Sequence, residues 1–132
     1  MNFEAVNDTI YPVVLCDSSH RVLVDCGYMG SLPKIEEALR ENDIAPECIT
    51  HIILTHHDHD HVGAAAAFKK KYPGVTVMAS AIEAAYISGA AKSLRLEQAE
   101  QLQKSLPPEQ QAFGEAFCSL LRRIEPVKID CL

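Results

Sequence analysis

Four histidines and two aspartates occupy six consecutive positions, His56, His57, Asp58, His59, Asp60 and His61, in a 132-residue chain that has six histidines in all. Imidazole nitrogen and carboxylate oxygen are both ligands for divalent transition ions, and a protein must offer several of them from one rigid frame. The competing reading is a solvated polar loop. Donor density argues for the metal, and an internal position with alternating aspartates argues against a tag. The apolar run Ile52-Ile53-Leu54 enters the block, and Gly63 followed by four alanines leaves it. This pattern predicts a strand, a short loop and then a helix from near Val62. The donors then sit at the carboxyl end of a strand, a usual place for a site in an α/β protein.

The run Thr55-His56-His57-Asp58-His59-Asp60-His61-Val62-Gly63 resembles the metal loop of the metallo-β-lactamase-fold superfamily, whose pattern is HxHxDH after a hydrophobic strand. On that match His56 takes the first histidine, Asp60 the aspartate and His61 the last histidine. Asp58 stands where a second histidine is usual, and Ala64 where a second glycine often follows. The resemblance implies that His56, Asp58, Asp60 and His61 ligate two divalent ions and that Asp60 also orients the nucleophile as the catalytic residue. Zinc is the first expectation; the extra oxygen of Asp58 brings in manganese or iron. His57 and His59 fall at the variable places, open as supports behind the ligands, substrate contacts, exposed side chains or, against the alternation of the loop, ligands themselves. Asp25, in Asp25-Cys26-Gly27, either resembles the residue that holds the loop or is a turn aspartate bonded to nearby backbone.

Several elements must position this block. Tyr11 to Cys16 and Arg21 to Cys26 read as an antiparallel hairpin around Asp17-Ser18-Ser19-His20. Ser31 to Asn42 reads as an amphipathic helix with Ser31 as N-cap, Ile44 to Glu47 as a connector, and Ile49 to Thr55 as the strand that delivers the loop. His51 on that strand is read as structural. A helix is expected from Val62 to Tyr72, where Lys69, Lys70 and Lys71 are either a solvated cap or an anion patch. A strand follows from Val75 to Ala79. Ile82 to Ile87, Leu96 to Leu106 and Glu109 to Ile124 carry helical spacing, and Val127 to Leu132 looks like the start of a strand. The expected fold class is α/β, a mixed sheet covered by helices. By resemblance it is the N-terminal part of an αββα sandwich, as one domain over residues 1–132 with a helical insert around 81–124.

That superfamily draws further ligands from a second half, another histidine, a bridging aspartate and a final histidine, and no histidine follows His61. The expectation is a truncated domain, or one completed by association of copies into a homo-oligomer that exchanges elements. Net charge is −6 and the basic residues are scattered, which disfavours nucleic acid as a partner. No stretch approaches membrane-spanning length and Met1 to Asn7 is polar, so no membrane and a cytoplasmic location are expected. Five cysteines without a C-x-x-C pair read as free thiols, and Cys16 and Cys26 as small buried residues. The leading function is metal-dependent hydrolysis of a small-molecule ester, thioester, lactone or phosphodiester. Against it stand a non-catalytic metal-binding or oligomerisation module, and a redox enzyme with a di-iron centre on the same fold.

Overall fold

A four-stranded sheet organises the chain, with strands β3 (Val13–Cys16), β4 (Arg21–Val24), β5 (His51–Leu54) and β6 (Thr76–Ala79) in that order, after a short hairpin of β1 (Asn2–Phe3) and β2 (Asp8–Thr9). The structure, a computed structural model, describes residues 1–4 and 6–132. β3 and β4 are antiparallel, while β4, β5 and β6 run parallel. Parallel neighbours need a crossover. Helix α1 (Leu32–Glu41) supplies the first crossover, and the second passes through α2 (His59–Val62) and α3 (Ala65–Lys71).

Side chains alternate across the sheet as the strand period requires. Leu23, Ile52, Leu54, Val77 and Ala79 are buried and pack with Ile35 and Leu39 of α1 and Ala65 and Phe68 of α3 into one core. The other face carries a row in register, Val13, Val24, Ile53 and Met78, and there cover is only partial. Val13 and Leu15, on the edge strand, are more than half exposed. After β6 the chain turns through α4 (Ala81–Ile87), α5 (Leu94–Ser105) and α6 (Gln111–Arg122). α6 buries Cys118 and Leu121, whereas α5 buries no residue.

Four expectations change. The helix from Val62 is two pieces, because Gly63 is pressed against the turn at residues 27–29: its N–H donates to the Gly27 carbonyl at 2.8 Å, and a Cβ there would meet Met29 and Tyr28 backbone at 2.1 and 2.2 Å. Ser31 does not cap α1; its buried hydroxyl donates to the Cys26 carbonyl at 3.2 Å. Cys16 is exposed, since β3 is an edge, while Cys26 is fully buried and its thiol is pushed up by that burial. Residues 127–132 form a single parallel bridge, Met78 to Cys131, rather than a strand. Asp130 beside it accepts the Val77 N–H at 2.9 Å and pairs with Lys69 at 3.1 Å. That backbone bond, and then Lys69, hold its carboxyl below the usual range.

One charged cluster ties the crossovers together. Glu36, buried on α1, accepts from Lys71 at 2.7 Å and from the Tyr72 hydroxyl. Lys71 first and Tyr72 second hold its carboxyl below its ordinary value. A depressed carboxylate stabilises the fold above its unfolded pKa and loses that contribution as pH falls through the folded pKa. The melting temperature should therefore drop on acidification from about pH 6 towards pH 3, and less steeply in Glu36→Gln. Parallel curves for the two proteins would remove Glu36 as a source of acid sensitivity.

Candidate metal centre

Asp25 is where the local chemistry begins. It lies one residue beyond β4 with φ of 65°, in the left-handed region that aspartate tolerates better than most residues. Its carboxylate reaches both ends of the donor block. Oδ1 accepts the Thr55 N–H at 2.8 Å, and Oδ2 accepts the Thr55 hydroxyl at 2.7 Å and His61 Nδ1 at 2.7 Å. Backbone bonds tighten the same junction, Asp25 N–H to Ile53 O at 2.8 Å and Cys26 N–H to His61 O at 2.7 Å. Of the two readings of Asp25, the loop-holding one is observed.

Asp25 makes His61 Nδ1 the donor, and in the neutral ring, the form that binds a metal, Nε2 then carries the lone pair. That nitrogen lies 3.5 Å from Asp60 Oδ2, both on the turn of helix α2. His56 and Asp58 approach in the extended segment before it, Nδ1 to Oδ2 at 3.7 Å, and the Asp58 N–H donates to His56 Nδ1 at 3.3 Å. The His56 and His61 rings lie 3.9 Å apart between centroids, which brings the two pairs side by side. Donors on one ion at about 2.1 Å are separated by about 3.4 Å along a tetrahedral edge, which the His61–Asp60 pair matches, while His56 Nδ1 would first have to release the Asp58 N–H. Among the described residues no three of these side chains already converge on one point. Donor chemistry and pairwise spacing fit a divalent metal.

The remaining two histidines point elsewhere. His57 donates through its backbone N–H to Glu83 Oε2 at 2.9 Å, its Nδ1 lies 2.5 Å from the same oxygen, and its ring stacks on Tyr86 at 4.7 Å. His59 packs between Tyr28 at 5.6 Å and Phe117 at 5.5 Å. His57 Nε2 and His59 Nδ1 are buried without a partner among the described residues. Tyr28 in turn donates to Asp8 at 2.7 Å, and that bond to a carboxylate pushes its phenol up to about 12. Arg95, on α5, brings its guanidinium to 3.5 Å from Asp58 Oδ2.

Sequence reasoning missed Glu83 and Arg95. Ser80-x-x-Glu83 is a readable capping-box pattern, and Ser80 Oγ does accept the Glu83 N–H at 3.2 Å. Glu83 then sends its carboxylate to His57 instead of back to its own helix. Arg95 carries no local signal, because the fold alone brings α5 to the loop.

Comparison with known proteins places these features in a family. A family model described as the metallo-beta-lactamase superfamily matches residues 8–124. A hydroxyacylglutathione hydrolase from Photobacterium profundum is 30% identical over 116 residues, 88% of this chain and 39% of that protein. Another from Erwinia tasmaniensis is 39% identical over 61 residues, 46% of this chain and 22% of that one. The chain thus spans well under half the length of these curated relatives. Among solved structures, a metallo-β-lactamase of Cronobacter sakazakii with a HARLDQ motif superposes with a TM-score of 0.65 at 23% identity, covering 91% of this chain and 39% of that one. At that identity the likeness speaks to the fold alone.

Removing the charge of Asp25 tests the loop-holding geometry. Asp25→Asn keeps a residue suited to the left-handed backbone but weakens the acceptor for His61 Nδ1. Affinity for Zn²⁺ should fall by about 10- to 100-fold, and the melting temperature should fall as well, because one amide nitrogen now faces a donor where a carboxylate oxygen accepted. A wild-type affinity in this variant would mean that His61 needs no such partner.

Proposed function

The chain belongs to the metallo-β-lactamase superfamily, and from that premise we propose that it carries the first metal-binding loop of a hydrolase acting on a small-molecule thioester. The Asp25–His61–Asp60 arrangement carries this reading: a carboxylate fixes the imidazole tautomer, and the freed Nε2 sits 3.5 Å from a second carboxylate. Thioester is preferred over ester, lactone and phosphodiester because the matched relatives are named hydroxyacylglutathione hydrolases.

In this reading His56, Asp58, Asp60 and His61 hold two divalent ions, zinc first, with manganese or iron as alternatives favoured by the oxygen of Asp58. Divalent metal, when bound, supplies charge that acidifies water towards neutral pH and polarises the scissile carbonyl. The residues do the positioning. Asp60 accepts a hydrogen bond from the attacking water and so aims its lone pair at the carbonyl carbon. His61 is kept from rotating by Asp25, and Arg95 offsets the charge that Asp58 adds where the family has a neutral histidine. Collapse of the tetrahedral intermediate breaks the C–S bond and releases a thiolate, which is stable enough near neutral pH to leave without a dedicated acid.

No further histidine follows His61, and the remaining ligands are proposed to come from a second copy of the chain. The helices at 81–124 are proposed as an insert within the one domain. A second reading, a metal-binding or oligomerisation module without turnover, draws support from the absence of any three converging donors among the described residues.

Metal content by elemental analysis, native mass and hydrolysis of a hydroxyacyl glutathione thioester, with the matching oxygen ester as control, separate the two. The hydrolase reading expects bound metal and thioester turnover that falls by about 10²- to 10⁴-fold in Asp60→Ala. Bound metal with no turnover of either substrate would leave the metal-binding module, and absence of metal would overturn the hydrolase reading of this chain and leave only the oligomerisation module, which the native mass tests.

A further inference from the structure

The loop's ligands are held from below by Asp25, but the peptide between His56 and Asp58 needs its own anchor. That peptide belongs to His57, and both polar groups it offers on this side end on one oxygen of Glu83. The backbone N–H donates at 2.9 Å and ring Nδ1 lies at 2.5 Å. The pair is largely enclosed: the His57 side chain is 11% exposed and that of Glu83 20%. Tyr86, one turn further along α4, covers the imidazole face at 4.7 Å. At the start of the helix Ser80 Oγ accepts the Glu83 backbone N–H, a cap on the helix end that does not touch the Glu83 carboxylate.

We infer that Glu83 is a positioning residue for the metal loop, which fixes the His57 peptide and keeps the His57 ring out of the ligand set. The inference rests on the metal reading of His56 and Asp58, although the Glu83–His57 contact stands independently of it. The carboxylate at Nδ1 makes that nitrogen the donor and turns Nε2 into a buried position with no partner among the described residues. With the ring pinned, its neighbours His56 and Asp58, one residue either side, project away from it towards His61 and Arg95. Without the pin, His57 is a free imidazole beside two ligands and competes with them for the ion. Alternation along the extended segment and the Glu83 anchor thus act together to choose which of three adjacent donors face the metal.

The test compares wild type with Glu83→Ala, Glu83→Gln and Ser80→Ala. Imidazole ¹⁵N chemical shifts report the His57 tautomer without metal, and competition with a chromophoric chelator gives affinities for Zn²⁺ and Mn²⁺. The wild type should show a single Nδ1-protonated form for His57. Glu83→Ala should lose that form and weaken metal binding by about 10- to 100-fold, with Glu83→Gln, which keeps an acceptor oxygen without charge, between the two. Ser80→Ala removes only the helix cap, and should lower the melting temperature while leaving tautomer and affinity as they are. Unchanged shifts and affinities in both Glu83 variants would overturn the inference. So would a Ser80→Ala variant that loses metal as strongly, because helix stability alone would then explain the effect. If wild type itself binds neither ion, the metal reading fails, and the tautomer comparison between wild type and Glu83→Gln still decides the role of Glu83.

Discussion

One carboxylate closes the loop on which everything here depends. Asp25 bonds Thr55 at the entrance to the donor block and His61 at its exit, so six polar residues are held as an arch over a single side chain. Charge-assisted hydrogen bonds of this kind are stronger than neutral ones and set direction as well as distance. The sheet supplies the precision: β4 ends at Val24, one residue before Asp25, β5 ends at Leu54, and the two are adjacent and parallel. Two strand ends that share one register therefore hand the arch its two feet. Gly63 completes the junction, because only a residue without a side chain lets the backbone after the arch lie against residues 27–29.

The second constraint comes from a distance in sequence. Glu83 and Arg95 belong to helices that follow β6, yet they contact His57 and Asp58, the middle of the arch. Phe117 of α6 adds an apolar contact to His59. The helical region is thus joined to the donor block by one part-buried hydrogen-bonded pair, one half-exposed ion pair and one aromatic contact. Each meets a different residue of the loop. Such a division lets the polar block keep a defined shape despite having only a short helical turn of its own, at His59–Val62.

What the sequence made legible follows from locality. Strands β3 to β6 and the long helices declare themselves through period and punctuation, and the donor block declares itself through composition. The breaks in those patterns were tertiary. Helix spacing predicted one helix from Val62 to Tyr72, but a backbone contact across 36 residues, Gly63 to Gly27, interrupts it. Ser31 had the right type and place for an N-cap, but Cys26 offered its hydroxyl a buried carbonyl. Asp25 was readable as either a loop holder or a turn residue, since nothing local tells that its partners lie at Thr55 and His61. Arg95 was not readable at all, because a lone arginine on a polar helix face is the commonest kind of surface residue.

The partly covered sheet face has a colloidal consequence. Val13, Val24, Ile53 and Met78 form a flat apolar row that ends at β3, whose outer edge leaves backbone donors and acceptors unpaired. Both features are adhesive, one through water release and the other through strand addition. What opposes them is a net charge of −6, a repulsion with a range of about 10 Å at 0.1 M salt and about 3 Å at 1 M. Ionic strength, more than concentration alone, is therefore the variable that sets how closely two of these faces approach in solution.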